Sequence, residues 1–299
     1  HQIMNVRNIN SLVELFFIKA DKINKSKPFL EWLNPKNNLK YNWGDVITKV
    51  YQLTSKFKSL IKEGDRVIIL SENRPEWLIT DIAIMNAGGI SVPIFTTYAE
   101  RDYEYIINDC SPSLVIVSNL AKYDKIKKFV EHYKVISFEK FNDSIQSYNE
   151  IFENKFEKIE NKNLERNQPA CIIYTSGTSG TPKGVVLSHG GILSNCEGAQ
   201  ELLQPIIKKV KTVFLTWLPL SHSYEHTVQM IQILLGAKVF YAESLDKLIL
   251  NMGKAKPTIM TAVPRFYQTL YTKINLNFEK QTGLKKMLIF QTVNLGKNL

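Results

Sequence analysis

The sequence predicts an α/β fold of doubly wound, mainly parallel sheets flanked by helices, and three observations predict it. Short apolar runs at Arg66 to Leu70, Ile90 to Phe95, Leu114 to Ser118 and Val135 to Phe138 alternate with helix-length segments. Polar clusters follow two further apolar runs, at Thr175 to Thr181 and Leu218 to His226, which is where open α/β sheets hold their ligands. The 44% of hydrophobic residues in a chain of 299 supplies a sizeable core.

Taken in order, residues 11–20 read SLVELFFIKA, with Leu12, Leu15, Phe16 and Lys19 at helical spacing and Ser11 as the cap. Leu39 to Trp43 reads as a short strand or turn. Asp45 to Leu60 resumes helical periodicity through Val46, Val50, Leu53, Phe57 and Leu60. Lys62 to Asp65 turns the chain into the strand Arg66 to Leu70, and Asn73-Arg74-Pro75 starts a helix to Ala87 that Gly88-Gly89 stop. The unit then repeats: strand Ile90 to Phe95, helix Ala99 to Asp109, strand Leu114 to Ser118, helix Leu120 to Tyr133, strand Val135 to Phe138. From Glu139 to Gln168 the chain is rich in Asn, Lys and Glu and reads as an exposed irregular or weakly helical connection.

Cys171 to His189 reads as a strand, a loop and a second strand at Val185 to Leu187. A helix follows over His189 to Leu203, with Gly190 and Gly191 in its first turn, and then a strand over Thr212 to Trp217. Further pieces fall at Lys238 to Tyr241, Ser244 to Met252 and Thr258 to Ala262. Pro264 starts a helix, and the residues up to Leu299 again read as helical.

The loop in CIIYTSGTSGTPKGVVLSH carries the chemistry. Gly177 and Gly180 free the backbone, while Thr175, Ser176, Thr178, Ser179 and Thr181 crowd it with hydroxyls. Lys183, stiffened by Pro182, adds a compact positive charge, so the loop is suited to wrapping phosphate oxygens. A plain Ser/Gly turn needs neither the apolar flanks nor the Pro-Lys-Gly close. A Walker loop ends in Gly-Lys-Ser/Thr, and the dinucleotide fingerprint spaces its glycines differently before a helix; neither fits.

The net charge of +10 comes from lysines scattered through the chain, without a basic stripe interleaved with aromatics, so no nucleic-acid partner is expected. Cys110, Cys171 and Cys196 lie far apart and form no metal-type pair, which points to a reducing cytoplasm. The most apolar long stretch, Leu78 to Phe95, is broken by Asp81, Asn86, Gly88, Gly89 and Pro93 and is no ordinary membrane span. The start of the chain has no signal-peptide pattern. A soluble cytoplasmic protein is expected, with peripheral contact at the inner face of the membrane as an addition.

The loop closely resembles the signature loop of the adenylate-forming acid:CoA ligases, the acyl-CoA synthetase and luciferase superfamily. GDRVIILSENRPEWL at Gly64 to Leu78, AGGISVPIF at Ala87 to Phe95, LPLSHSYEH at Leu218 to His226 and VPRFYQTLY at Val263 to Tyr271 look like the long-chain fatty acyl-CoA synthetases of bacteria. The resemblance implies ATP-dependent activation of a long-chain fatty acid to an acyl-adenylate, then thioester formation with coenzyme A, with Mg²⁺ required. By resemblance, Thr175 helps hold Mg²⁺, and Ser176, Gly177, Thr178, Ser179, Gly180, Thr181 and Lys183 grip the phosphates. His222 would serve catalysis at the carboxylate or adenylate oxygen. His226 falls at the position of a gate residue of the acyl pocket, with an exposed helix histidine as the competing reading. His132 reads as a surface residue, His189 as a helix-start residue, and Arg265 as either an anion contact or a solvated helix start.

The resemblance also implies that residues 1–299 form part of an N-terminal adenylation domain. In that reading 64–210 is one α/β subdomain, and 11–60 with 211–299 is part of a second. The family's acidic Mg²⁺ motif, adenine motif, ribose-holding aspartate, hinge and C-terminal domain are not found before Leu299, so the piece is expected to be inactive alone. A fatty acyl-AMP ligase that loads a carrier protein, and a non-catalytic nucleotide- or acyl-binding module, are the alternatives.

Overall fold

The computed structural model describes residues 4–155, 157–176, 180–262 and 288–291. The chain opens with α1 (Leu12–Lys22), whose cap Ser11 accepts the Glu14 amide at 3.0 Å. Two short strands follow, β1 (Pro28–Trp32) and β2 (Lys40–Asn42), then α2 (Trp43–Lys58). Asn42 and Asp45 cap α2 reciprocally, each side chain taking the other's backbone N–H. The repeat comes next: β3 (Arg66–Leu70), α3 (Pro75–Asn86), β4 (Ile90–Ile94), α4 (Glu100–Cys110), β5 (Leu114–Val117), α5 (Leu120–Ile126) and β6 (Val135–Ser137). A short pair, β7 (Gln146–Ser147) and α6 (Tyr148–Phe152), precedes the hairpin β8 (Pro169–Ser176) and β9 (Pro182–Ser188). The chain continues with α7 (His189–Ile207), β10 (Val213–Thr216), α8 (Ser223–Leu235), β11 (Lys238–Tyr241), α9 (Leu248–Ala255), β12 (Ile259–Ala262) and β13 (Leu288–Gln291).

The strands make two sheets. One runs β13-β12-β10-β11-β1-β2 and is parallel except for the β1–β2 pair; the other runs β7-β6-β5-β3-β4-β8-β9 and is parallel except for the β8–β9 hairpin. Period-two alternation explains how they are covered. Val67 and Ile69 of β3 face a core shared with α1, α2, α3, α7 and α8, whereas Ile68 and Leu70 face a second core with Tyr103 and Ile106 of α4. On the other sheet, Phe214 and Ile259 face the shared core, while Leu215 and Met260 pack on Leu248 and Met252 of α9. The result is helices, sheet, helices, sheet, helices.

The middle layer explains α3, of which every residue is buried. A helix apolar all round belongs inside. Trp77, Leu78, Ile79, Ile82 and Met85 each contribute about 1.5–3 kcal/mol on burial, and the four polar side chains buried with them are partnered: Glu76 by Arg74 and Thr80 by Tyr148, with Asn86 and Asp81 as follows. Asn86 is satisfied by Thr54 and the Lys162 amide, at 3.3 and 2.9 Å. Asp81 finds its partners on α8, described below.

The predicted fold class stands, with local corrections. The strand Pro28–Trp32 has no counterpart in the sequence reading. The segment 139–168, read as exposed and irregular or weakly helical, holds the short strand β7 and the short helix α6, and it is not exposed throughout: Tyr148 and Ile151 of α6 bury into the core, and the Tyr148 hydroxyl meets that of Thr80. The helix after Leu120 gives way at Ile126 to a single 3₁₀ turn. Residues 288–291, read as helical, form a strand beside β12, as their apolar, β-favouring LIFQ composition allows. The helix predicted from Pro264, with Arg265, lies outside the described residues.

Candidate functional site

The signature loop is the tip of the β8–β9 hairpin. Its register sets Tyr174 opposite Gly184, Thr175 opposite Lys183 and Ser176 opposite Pro182. Cross-strand partners of this kind lie about 4.5–5.5 Å apart at Cβ, so the Thr175 hydroxyl and the Lys183 stem are neighbours, and both residues are exposed. Gly180 takes φ +79°, with open space where a side chain would stand. Thr181 is exposed beside it. Gly177, Thr178 and Ser179 lie outside the described residues.

The hairpin's base is fixed. Tyr174 donates its hydroxyl to Asp109 at 2.6 Å, and its ring fills the space at Gly184, where a Cβ would come within 3.1 Å. Tyr98, in the turn before α4, donates to the Tyr174 carbonyl at 3.0 Å. Burial raises the pKa of both phenols, so both remain donors. The tip therefore projects from an anchored base beyond the carboxyl end of β8.

The second cluster reaches the same place. Asn73, just past β3, donates to the Leu218 carbonyl at 2.6 Å and accepts the Leu220 amide at 3.0 Å, holding the loop that follows β10. That loop ends in His222, the N-cap of α8, whose Nδ1 accepts the Tyr224 amide at 3.2 Å. The neutral ring then carries its proton on Nε2, and desolvation lowers its pKa although the residue keeps an exposed edge. His222, Phe95 and Tyr98 follow one another edge to face, at 6.5 and 5.3 Å between centroids. This row of rings links His222 to the hairpin base at Tyr174.

His226 sits one turn further along α8 and is fully buried, which excludes the exposed helix histidine. Its Nε2 lies 2.6 Å from Asp81 Oδ2 and its Nδ1 3.8 Å from the Cys171 sulfur of β8. Burial alone would lower its pKa, but the Asp81 charge outweighs that and holds it well above the usual histidine value. Gln229 also donates to Asp81, at 3.3 Å. The ring thus ties α8 to α3 and to the strand that carries the loop. His189, at the start of α7, is buried with a pKa lowered to about 4 by burial, and its Nδ1 accepts the Leu12 amide at the start of α1. His132 is exposed.

Sequence reasoning missed Asn73, Asp81, Tyr98 and Glu225. Glu225 is buried at the carboxyl ends of β10 and β12, where, among the described residues, Thr261 alone donates to it, at 2.9 and 3.3 Å. Burial raises its pKa to about 8. The folded protein keeps a proton here that the unfolded chain releases near its ordinary value of about 4.3, so this group makes stability fall as pH rises toward 8. Glu225→Gln keeps an acceptor for Thr261 and removes the ionisation. Its melting temperature is expected to gain on the parent's by a few degrees across that window; a gap constant with pH would refute the assignment.

Among the described residues no three His, Cys, Asp or Glu side chains gather as a metal site, and no helix is long and apolar enough to cross a membrane.

Comparison with known proteins agrees with the geometry. The family described as AMP-binding enzyme matches residues 19–294. Fatty acyl-CoA synthetase A of Dictyostelium discoideum is 28% identical over 244 residues, covering 76% of this chain and 36% of that protein. The long-chain-fatty-acid–CoA ligase ACSBG2 of Mus musculus is 32% identical over 293 residues, 88% of this chain and 43% of its own. The chain thus spans about two fifths of the length of these curated relatives. ATP-bound MatB from Rhodopseudomonas palustris superposes with a TM-score of 0.77 at 23% identity, over 95% of this chain and 55% of that one. The luciferase-like enzyme of the Zophobas morio mealworm superposes at 0.80 and 18%, over 99% and 70%. These likenesses show the fold.

Proposed function

The chain belongs to the AMP-binding enzyme family, and from that premise we propose that it supplies the phosphate grip and part of the acyl site of a long-chain fatty acid:CoA ligase. The observation that carries the proposal is the opposition of Thr175 and Lys183 across the hairpin tip, with hydroxyls and the positive-φ Gly180 between them. In the full-length protein the fatty carboxylate attacks the α-phosphate of ATP, pyrophosphate leaves, and the coenzyme A thiol takes the acyl group from the adenylate.

Each residue has a task that its position suits. Lys183 and the amides and hydroxyls of residues 176–181 meet the negative charge that gathers on the leaving pyrophosphate, which favours the transition state over the ground state. A single hydroxyl, that of Thr175, suits Mg²⁺, which keeps several waters and substrate phosphates around it. Held at the Thr175 hydroxyl, Mg²⁺ would supply positive charge against the phosphates. His222, with its proton on Nε2, donates to the carboxylate or adenylate oxygen. His226 reaches the acyl pocket only through α8, because both of its ring nitrogens face Asp81 and Cys171. Residues 64–210 and the pair 11–60 with 211–299 act as two α/β subdomains whose strand ends face this crevice.

The test is fatty-acid-dependent pyrophosphate release from Mg-ATP by the full-length protein, followed by product analysis with and without coenzyme A. Acyl-AMP that becomes acyl-CoA is the expected outcome. Acyl-AMP that persists in coenzyme A would move the acceptor to a carrier protein, and release independent of fatty acid would end the proposal.

A further inference from the structure

In a parallel sheet every helix returns its chain to the same side, the amino ends of the strands. On the sheet containing β1, β10, β11 and β12, four such returns, taken with the helix ends and the strand start that flank them, occupy residues 22–27, 207–212, 236–238 and 254–258. They hold Lys22, Lys25, Lys27, Lys208, Lys209, Lys211, Lys238, Lys254 and Lys256, and no Asp or Glu. The returns of the other sheet, at 59–65, 87–89, 111–113 and 127–134, hold Lys62, Lys127, Lys128 and Lys134 against Glu63, Asp65 and Glu131. The charge that looks scattered along the sequence is therefore concentrated by topology on one face.

The fold itself does not consume this charge. Four helix ends point their carbonyls here, each equivalent to about half a negative charge, so roughly two of nine lysines are offset. Lys27 donates to the Gly236 carbonyl at 2.8 Å, and Lys238 pairs with Glu31 at 3.3 Å. Among the described residues no other lysine of the nine has a carboxylate within ion-pair distance. They also feel one another. Burial and then Lys211 lower the pKa of Lys27, and burial followed by Lys27 and Lys22 lowers that of Lys19 beneath Gly236. Seven of the nine are exposed; within the last two turns of the helices that lead here stand exposed Leu202 and Leu250, with Asp21 and Glu201 as the exposed carboxylates against them.

We propose that this lysine face, on the side of the sheet opposite the hairpin and His222, docks on an anionic lipid bilayer. Exposed lysines beside exposed leucines match a negative headgroup layer over hydrocarbon, and compact, strongly hydrated ammonium groups suit such a layer without specific pairing. Among the described residues the face contains no exposed aromatic side chain on which a nucleobase could stack. Docked this way, the protein turns Thr175, Lys183 and His222 away from the surface.

Cosedimentation with phosphatidylcholine vesicles, with and without phosphatidylserine, tests this at low and high salt. The parent chain is expected to bind only the phosphatidylserine vesicles and to lose binding as salt shortens the screening length. Lys208→Glu with Lys209→Glu and Lys211→Glu should weaken binding at least tenfold. Reversing Lys134, Lys155 and Lys158, exposed lysines elsewhere, should weaken it far less, and circular dichroism confirms that both triples fold. Equal loss in the two triples, binding without phosphatidylserine, or displacement of the protein from vesicles by equimolar RNA would overturn the proposal. The assay uses no nucleotide or fatty acid, so its failure leaves the adenylation reading untouched.

Discussion

Replacing Asp81 by alanine is expected to lower the stability of the fold by about 3–5 kcal/mol, the cost of stripping a buried charge of its partner. Asp81 and His226 are both inaccessible and meet at 2.6 Å, with Gln229 as the carboxylate's second donor. The effect carries a pH signature. His226 holds its proton more tightly folded than unfolded, so its contribution is complete below about pH 6.5, the ordinary histidine value. That contribution is lost as pH rises through the raised folded pKa. In Asp81→Ala the ring is instead buried without a counter-charge and must stay neutral, which penalises the fold in acid. The gap between parent and variant is therefore widest in mild acid and narrows in alkali. Urea midpoints measured across pH give the answer, and a gap under about 1 kcal/mol at every pH would mean the pair is not formed. Replacing both partners by leucine should recover much of the loss, because two well-packed apolar groups avoid the desolvation that the pair must overcome.

That pair also marks the limit of what the sequence can say. The alternation of strand and helix was legible because Pro75, Gly88 and Gly89 punctuate it, and because apolar residues recur at the right period. The strand Pro28–Trp32 was not, since its parallel partner β11 lies some two hundred residues onward and PFLEW has no period of its own. Segment 139–168 read as exposed because only Tyr148 and Ile151 of α6 reach the core, and the two-residue β7 is too short to show a period. At the site, the hydroxyls and Lys183 were legible as a motif, but not the cross-strand register that makes Thr175 and Lys183 neighbours. Asp81 was visible as a break in an apolar run. A carboxylate in the middle of a helix that must be buried demands a partner, and chain order gives no means of finding it 145 residues away at His226.

Lys183→Ala and Thr175→Ala are each expected to lower acyl-adenylate formation in the full-length protein about 10²–10³-fold, the usual loss when one preorganised group facing transition-state charge is removed. The site lets this be separated from unfolding. Both residues are exposed at the hairpin tip, and exposed substitutions of this kind usually stay within about 0.5 kcal/mol of the parent. The base beneath them is held independently by Tyr174 on Asp109 and Tyr98 on the Tyr174 carbonyl. Val186, exposed three residues along the same strand, serves as the control, and Val186→Ala should turn over normally. The kinetic form of the loss assigns the role. A fall in kcat with little change in the KM for ATP places Lys183 on charge that develops as pyrophosphate leaves, whereas a rise in KM alone makes it a ground-state anchor. Lys183→Arg is expected to restore binding more than turnover, because a planar fork cannot occupy the place of a compact ammonium beside Thr175. Near-parental turnover in both alanine variants would remove the hairpin tip from the chemistry, and with it the residue assignment on which the ligase proposal stands.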